Sequence, residues 1–242
     1  MLIAGLASDS QSWQPIISEM SSYCHLILPD NRGVGRTSPQ DSDISIQKIA
    51  DDCISLIKSL NLRSVNLLGH SMGGFVAMDI AIRYPGYVDK LILAATSSFN
   101  SERNKSLFSD WVSYIESGMD IKLWFKNIFY WIFSMRFFGN KGAVDEAVRL
   151  AIEYPYPQSI QALKNQVNAI SKFNCTNELT KINSKTLVIS GKEDILFPTE
   201  ASAGLVKAIK GASLTVIDNA AHSIHMEQPK AFIDSVMNFL NS

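Results

Sequence analysis

The chain carries the stretch VNLLGHSMGG at residues 65–74. An apolar, strand-like run leads into Gly-x-Ser-x-Gly, and a helical pattern follows it. This order is typical of a nucleophile elbow, a turn so tight that the backbone of its serine is strained. Only glycine on either side lets strand and helix approach so closely. We therefore predict that the Ser71 hydroxyl stands clear of a sheet at the start of a helix, placed to attack an acyl carbon.

An ordinary strand-to-helix loop that happens to contain serine has a similar sequence, because glycine and serine are common in turns. An acid and a histidine downstream distinguish the two interpretations. A serine hydroxyl is a weak nucleophile until a base accepts its proton, and a carboxylate must hold that base in one tautomer.

Two later apolar runs end in segments that supply such side chains. Asp194 lies just beyond TLVIS, residues 186–190, and His222 lies just beyond SLTVI, residues 213–217. Because the carboxyl ends of parallel strands meet at one edge of a sheet, we expect both side chains near Ser71. The order serine, acid, histidine predicts a catalytic triad.

Each of these two residues has a rival nearby. Glu193 precedes Asp194, but the shorter aspartate holds a more fixed geometry, so Glu193 is interpreted as a solvated loop charge. His225 follows His222 but lies nearer the final helix, where packing or capping is expected. The two remaining histidines, His25 and His70, are interpreted as structural.

A tetrahedral intermediate also needs two backbone N–H groups, which together form an oxyanion hole. The amide of Met72, directly after the serine, is one candidate. The amide of Leu6 is the other, because it lies in the loop after the first strand.

Composition excludes several other classes of protein. The chain has 242 residues, of which 46% are hydrophobic and 19% charged, as in globular proteins. A net charge of −1 leaves no basic face for nucleic acid. The three cysteines are interpreted as buried thiols, because their wide spacing is not typical of a disulfide framework or a metal site. We expect a cytoplasmic protein without a signal peptide or membrane span, and neither metal nor cofactor is required.

Short apolar strands alternate with helical patterns along most of the chain. This alternation predicts an α/β fold, a mostly parallel sheet with helices on both faces. The alternation stops in the middle, where the pattern is helical and rich in aromatic residues. We predict a core from residues 1–96 and 183–242, with residues 97–182 forming a helical lid over the active-site loops.

Five segments of the sequence resemble those of the α/β-hydrolase fold superfamily. They are LIAGLASDSQSW, LPDNRGVGRTS, GHSMGG, VISGKED and AAHSIHMEQP. The last is similar to the family ending H-x-x-x-x-E-x-P, which favours His222 over His225. The closest likeness is to serine esterases, enol-lactone hydrolases and C–C bond hydrolases. Serine at position 71 argues against the branches that need a carboxylate nucleophile.

The chain departs from the family pattern in two places. Ala4-Gly5 stands where the family usually has His-Gly, so the loop that carries Leu6 is supported differently. The resemblance also marks the first strand as the third of the usual eight, which predicts that the first two are missing. Residues 25–28 would then form an exposed edge strand, and an unpaired edge favours a homodimer.

The lid sequence contains many aromatic side chains. Trp124, Phe129 and Trp131 are candidates for a hydrophobic substrate pocket above Ser71, and packing of lid against core is the alternative. The sequence therefore predicts a serine hydrolase of small, mainly apolar carboxylic esters. The alternatives are enol-lactone or C–C bond hydrolysis on the same triad, a ligand sensor with slow turnover, or an inactive fragment.

Overall fold

The computed structural model describes residues 1–242 as a five-stranded, all-parallel sheet with helices on both faces. This confirms the predicted α/β fold. The strands pair in chain order, which is also their order in the sheet. They are β1 (Leu2–Ile3), β2 (Val65–His70), β3 (Val88–Ala94), β4 (Lys185–Gly191) and β5 (Ser213–Ile217).

Eleven α-helices and three 3-10 helices connect the strands. The α-helices are α1 (Gln14–Met20), α2 (Ile46–Ser59), α3 (Met72–Arg83), α4 (Glu102–Glu116), α5 (Ile121–Ile132), α6 (Met135–Phe138), α7 (Lys141–Ile152), α8 (Ile160–Lys172), α9 (Thr199–Ala208), α10 (Ile224–Glu227) and α11 (Pro229–Leu240). The 3-10 helices are Ser10–Trp13, Pro85–Tyr87 and Thr176–Lys181. None of the helices combines the length and the apolar character needed to cross a bilayer.

The sheet has an apolar core on each face. Alternate residues of a strand point to opposite faces, so Leu67 joins one core and Leu68 the other. Helices α2 and α3 cover the first face, while α1 and α11 cover the second. Because both faces are buried, the central strands carry apolar residues at consecutive positions, as at 67–68 in β2 and 91–94 in β3.

The block between β3 and β4 is helical, as expected, and contains α4 to α8. Its helices also join the core of the first sheet face, because Phe108 and Trp111 of α4 and Leu163 and Val167 of α8 are buried there. The inserted helices are therefore packed into the body of the protein. The role of these helices as a lid over the active-site loops stays a prediction.

The expected strand at residues 25–28 is absent from the sheet. This segment runs beside β1, and the Leu2 amide donates a hydrogen bond to the Ile27 carbonyl at 2.9 Å. Because β1 has only two residues, it offers too short a ladder for a regular strand to form. The sheet has no counterparts of the family's first two strands, in agreement with the resemblance.

An apolar cavity of about 480 Å³ opens at this edge of the sheet. Leu26 and Ile27 line it together with Leu60 and Leu62, which remain partly exposed. Exposed apolar surface next to a free sheet edge favours association. We therefore expect concentration-dependent dimers or larger species by light scattering.

Leu60→Lys tests this expectation, because it places a charge in the cavity and should shift the protein towards monomer. Leu150→Lys on α7 is the matched control, since Leu150 is an exposed leucine outside the cavity. A monodisperse wild-type monomer at all concentrations would contradict the prediction.

Candidate active site

The predicted elbow joins β2 to α3, and Ser71 sits in it with φ 55° and ψ −119°. L-residues rarely adopt a positive φ, so this backbone is strained. Two glycines make the turn possible. A Cβ atom on Gly69 would collide with the Gly73 carbonyl, and one on Gly73 would collide with the Ile3 carbonyl.

Hydrogen bonds hold the strained residue on both sides. The Ser71 amide donates to the Ala94 carbonyl at 2.9 Å, which ties the turn to the end of β3. The Thr96 hydroxyl donates to the Ser71 carbonyl at 2.9 Å. Surrounding contacts of this kind allow a strained conformation to persist.

Asp194 and His222 meet across the carboxyl ends of β4 and β5. Nδ1 of His222 lies 3.0 Å from Oδ2 of Asp194, and both side chains are buried. The other oxygen, Oδ1, accepts the Leu196 and Phe197 amides at 2.8 and 2.9 Å. The carboxylate is thus fixed by three donors, which leaves Nε2 of His222 available as a base.

The rival acid has a different environment. Glu193 is half-buried, and its carboxylate accepts the Met135 amide at 3.4 Å. The predicted solvated loop charge is therefore only partly solvated, because the chain after α5 packs over it. It has no hydrogen bond with a histidine in the structure.

Ser71 lies at the same edge of the sheet as this pair. The ring of His70, its neighbour, is 4.9 Å from the ring of His222, measured between centroids. The Ser71 hydroxyl makes no hydrogen bond in the structure. Bonds between a catalytic serine and its base are often long without substrate and tighten in the reacting complex.

The two predicted oxyanion-hole amides border the same turn. Met72 begins α3, so its amide has no acceptor within the helix. The Leu6 amide likewise donates to no acceptor. The loop of Leu6 lies against Ser71, because a Cβ atom on Gly5 would lie 3.2 Å from Cβ of Ser71. Two unpaired N–H groups beside a nucleophile suit a developing oxyanion.

His70 has a specific contact that its sequence position did not indicate. Its Nε2 lies 2.8 Å from the backbone carbonyl of His222, and this oxygen can only accept, so Nε2 carries the proton. Burial lowers the pKa of His70 to about 3, which keeps the ring neutral. His70 therefore anchors the backbone of the residue that is the candidate base.

His225 lies in α10 and packs, as expected for the rival base. It is 1% exposed, and its ring centroid lies 4.5 Å from that of Trp13, in a tilted arrangement, and 4.7 Å from that of His70, edge to face. Burial holds its pKa well below the usual value. It makes no hydrogen bond to an acid that could orient it.

Glu227 is a second residue whose contacts only the structure reveals. Its Oε2 accepts the Ala221 amide at 2.8 Å, next to His222. Its Oε1 accepts the amide and hydroxyl of Ser134 at 2.9 and 2.5 Å. One carboxylate thus joins the His222 loop to the chain that follows α5.

The three candidate pocket aromatics have different surroundings. Trp124 is buried and its indole donates to the Trp111 carbonyl at 2.8 Å, a contact between α5 and α4. Phe129 is buried against other rings of the insert. Trp131 is half-buried beside Arg103. Packing within the insert accounts for the burial of Trp124 and Phe129. A role in substrate binding stays a prediction for these two residues and for Trp131.

No group of three or more His, Cys, Asp or Glu side chains is arranged to hold a metal ion. The chemistry that the site offers rests on an acid–histidine pair, a strained serine and two unpaired amides.

Comparisons with known proteins agree with this architecture. The model of the alpha/beta hydrolase fold family matches residues 1–229. A relative from Agrobacterium fabrum, which bears the name "Putative carbamate hydrolase RutD", is 27% identical over 99% of this chain and 92% of its own length. The mouse serine hydrolase BPHL is 25% identical over 89% of this chain and 69% of its own. A solved enol-lactonase from Burkholderia xenovorans superposes with a TM-score of 0.89 at 21% identity, covering 100% of this chain and 90% of that one.

The buried histidines lead to a prediction about stability and pH. An unfolded histidine binds a proton near pH 6.5, whereas folded His70 binds one only near pH 3, so acid favours the unfolded chain. Stability should therefore fall as the pH drops below about 6.5. The slope of the unfolding free energy against pH gives the number of protons that are bound on unfolding. Measured by urea unfolding between pH 6.5 and 4.5, this number should be smaller by about one in His70→Gln than in the wild type.

His25→Gln is the control, because His25 is exposed and its loss removes no buried imidazole. If the unfolding free energy depended on pH equally in the wild type and in His70→Gln, this result would contradict a neutral, buried His70.

Proposed function

The chain belongs to the α/β-hydrolase fold family, and from this premise we propose that it is a serine hydrolase that cleaves carboxylic esters of small, mainly apolar substrates. The observation that carries the proposal is the buried hydrogen bond between Asp194 and His222 beside the strained turn of Ser71. A histidine oriented by a carboxylate is the base that a serine nucleophile needs.

The reaction follows from the roles of these side chains. Ser71 Oγ attacks the ester carbonyl while Nε2 of His222 accepts its proton, and Asp194 stabilises the resulting imidazolium. The amides of Leu6 and Met72 donate to the oxyanion. His222 then protonates the departing alcohol, which leaves an acyl group on Ser71. A water molecule then attacks the acyl carbon while it gives a proton to His222. His222 returns that proton to Ser71 Oγ as the bond to the acyl carbon breaks and the acid is released.

An apolar substrate suits the surroundings of the site. The ring of Phe197 stacks 5.6 Å from that of His222. The end of α5 lies directly over the same loop, because the Ser223 amide donates to the Ile132 carbonyl at 2.9 Å. Aromatic residues continue from this contact, among them Phe133 directly after α5 and Phe137 in α6, whose rings stack on each other. Apolar walls with few polar groups are typical of small-molecule sites.

Carbamate hydrolysis is a second candidate, favoured by the relative from Agrobacterium fabrum. A carbamate carbonyl accepts the same nucleophile and the same oxyanion donors. Enol-lactone opening and C–C bond hydrolysis also fit a serine triad. Relative kcat/KM values for matched esters, carbamates, enol lactones and β-diketones separate these reactions. Binding of such compounds with very slow turnover would instead favour a ligand sensor.

Fluorophosphonate labelling tests the proposal without a known substrate. We expect one adduct per chain on Ser71 by intact mass and peptide mapping, and its loss in His222→Ala, because only an activated serine reacts at a useful rate. His25→Ala is the control and should label like wild type, since His25 is exposed and lies away from the loop of His222. A folded wild-type protein that forms no adduct would contradict the proposal.

Asp194→Asn tests the acid. An asparagine still accepts the Leu196 and Phe197 amides but does not hold His222 in the required tautomer, so kcat on a short-chain p-nitrophenyl ester should fall about 10³-fold or more. Glu193→Gln is the matched control, because it removes the neighbouring carboxylate, and its kcat should stay within about threefold of wild type. Similar losses in both variants would argue against Asp194 as the orienting acid.

A further inference from the structure

The loop after β1 adopts a conformation that its own residues do not favour. Ala7 has φ 55°, and the Ser8 amide meets the Gly5 carbonyl at 3.4 Å, which makes residues 5–8 a turn with a positive φ at its third position. Glycine is the usual residue there, because a Cβ atom is strained at this φ. The side chain of Ala7 is exposed, so burial of its methyl group does not compensate for this strain. The turn therefore depends on contacts made by its backbone.

Gln166 of α8 provides such a contact. Its side chain is fully buried, and its Oε1 accepts the Ala7 amide at 3.2 Å. The same oxygen accepts Nε2 of Gln158 at 3.0 Å, and Nε2 of Gln166 donates to the Arg32 carbonyl at 2.9 Å. One carboxamide thus joins the loop after β1, the loop of Arg32 and the inserted helices.

The Ala7 amide and the Leu6 amide belong to consecutive peptide groups. The Ala7 amide is occupied by Gln166, whereas the Leu6 amide has no acceptor. Fixing the peptide between Leu6 and Ala7 restricts ψ of Leu6 and φ of Ala7, the two dihedrals that change when such a turn flips. The second support of the loop is Asn31, whose Nδ2 donates to the Ala4 carbonyl at 3.1 Å.

These contacts also account for a departure in the sequence. Position 4 carries alanine where the family pattern described in the sequence analysis has histidine, so no polar side chain at this position can brace the loop. Two residues outside the loop hold it instead: Asn31, which precedes the elbow in sequence, and Gln166, which follows it.

We propose that Gln166 is a positioning residue for the oxyanion hole: it holds the Leu6–Ala7 peptide so that the Leu6 amide stays available to the oxyanion that forms at Ser71. The inference rests on the proposed serine-hydrolase function and goes beyond it. It makes the inserted helix α8 part of the catalytic framework, since the hole is complete only while α8 is docked on the loop after β1.

Gln166→Met tests the inference, because it keeps length and shape but removes the hydrogen bonds. We expect kcat on a reactive ester to fall between about 10- and 100-fold with KM within threefold, since misplacing one oxyanion donor weakens only the transition state. Affinity for a trifluoromethyl ketone, which forms a tetrahedral adduct with the serine, should fall by the same factor as kcat/KM.

Gln158→Met is the matched control. It breaks the hydrogen bonds of Gln158 to Gln166 and to the Gly33 carbonyl, so it also loosens the insert, but it leaves the acceptor of Ala7 in place. Its kcat should stay within threefold of wild type. Equal kcat values for the two variants, or a loss confined to KM, would overturn the inference.

A second variant separates loss of the contact to Ala7 from general damage to the fold, and a measurement on the wild type does not depend on the stability of Gln166→Met. Ala7→Gly relieves the strain at φ 55°, so the turn needs less support from Gln166. When Ala7→Gly is combined with Gln166→Met, the double variant should recover at least a third of the lost kcat on a logarithmic scale. In the wild type, the Ala7 amide should be protected from hydrogen exchange. Free exchange of that amide, or no recovery in a folded double variant, would overturn the proposal.

Fluorophosphonate labelling of the wild type separates the two levels of inference. If Ser71 is labelled normally but kcat falls no further in Gln166→Met than in Gln158→Met, the positioning role of Gln166 is wrong and the proposed serine-hydrolase function stands. Absence of labelling in folded wild type removes both, because there is then no oxyanion hole to position.

Discussion

The positive φ of Ser71 is the constraint on which the rest of the site depends. It exists because β2 and α3 meet in a turn with room for nothing larger than hydrogen at Gly69 and Gly73. The same close approach brings the end of β1 against the start of α3, since Gly73 faces the Ile3 carbonyl. The same close packing of β1, β2 and α3 therefore fixes both Ser71 and the loop that carries Leu6.

Around this turn, backbone hydrogen bonds position the other groups. Asp194 is held by two amides of its own loop, and His222 is held through its carbonyl by His70 and through its neighbour Ala221 by Glu227. Loops are the more mobile parts of a fold, so a site built on them needs such anchors to keep a geometry suited to catalysis. Most of these anchors are buried, where hydrogen bonds are stronger and costly to lose.

The inserted helices take part in this arrangement as well as covering it. Ser134 binds the carboxylate of Glu227, and Gln166 binds the loop after β1. Both residues lie within the block that the sequence predicted as a separate lid. Local pattern could not reveal these contacts, because each partner lies far away along the chain and polar residues on a helix are usually solvated.

The sequence by itself determined the α/β fold, the elbow and the loops of Asp194 and His222, because strand periodicity, glycine spacing and the order of motifs are local properties. It was wrong about a strand at residues 25–28, since a ladder also needs a partner of sufficient length. Only the tertiary structure decided that His70, Glu227 and Gln166 hold the site together. Their hydrogen bonds join segments 6 to 159 residues apart, and such contacts depend on how the whole chain packs.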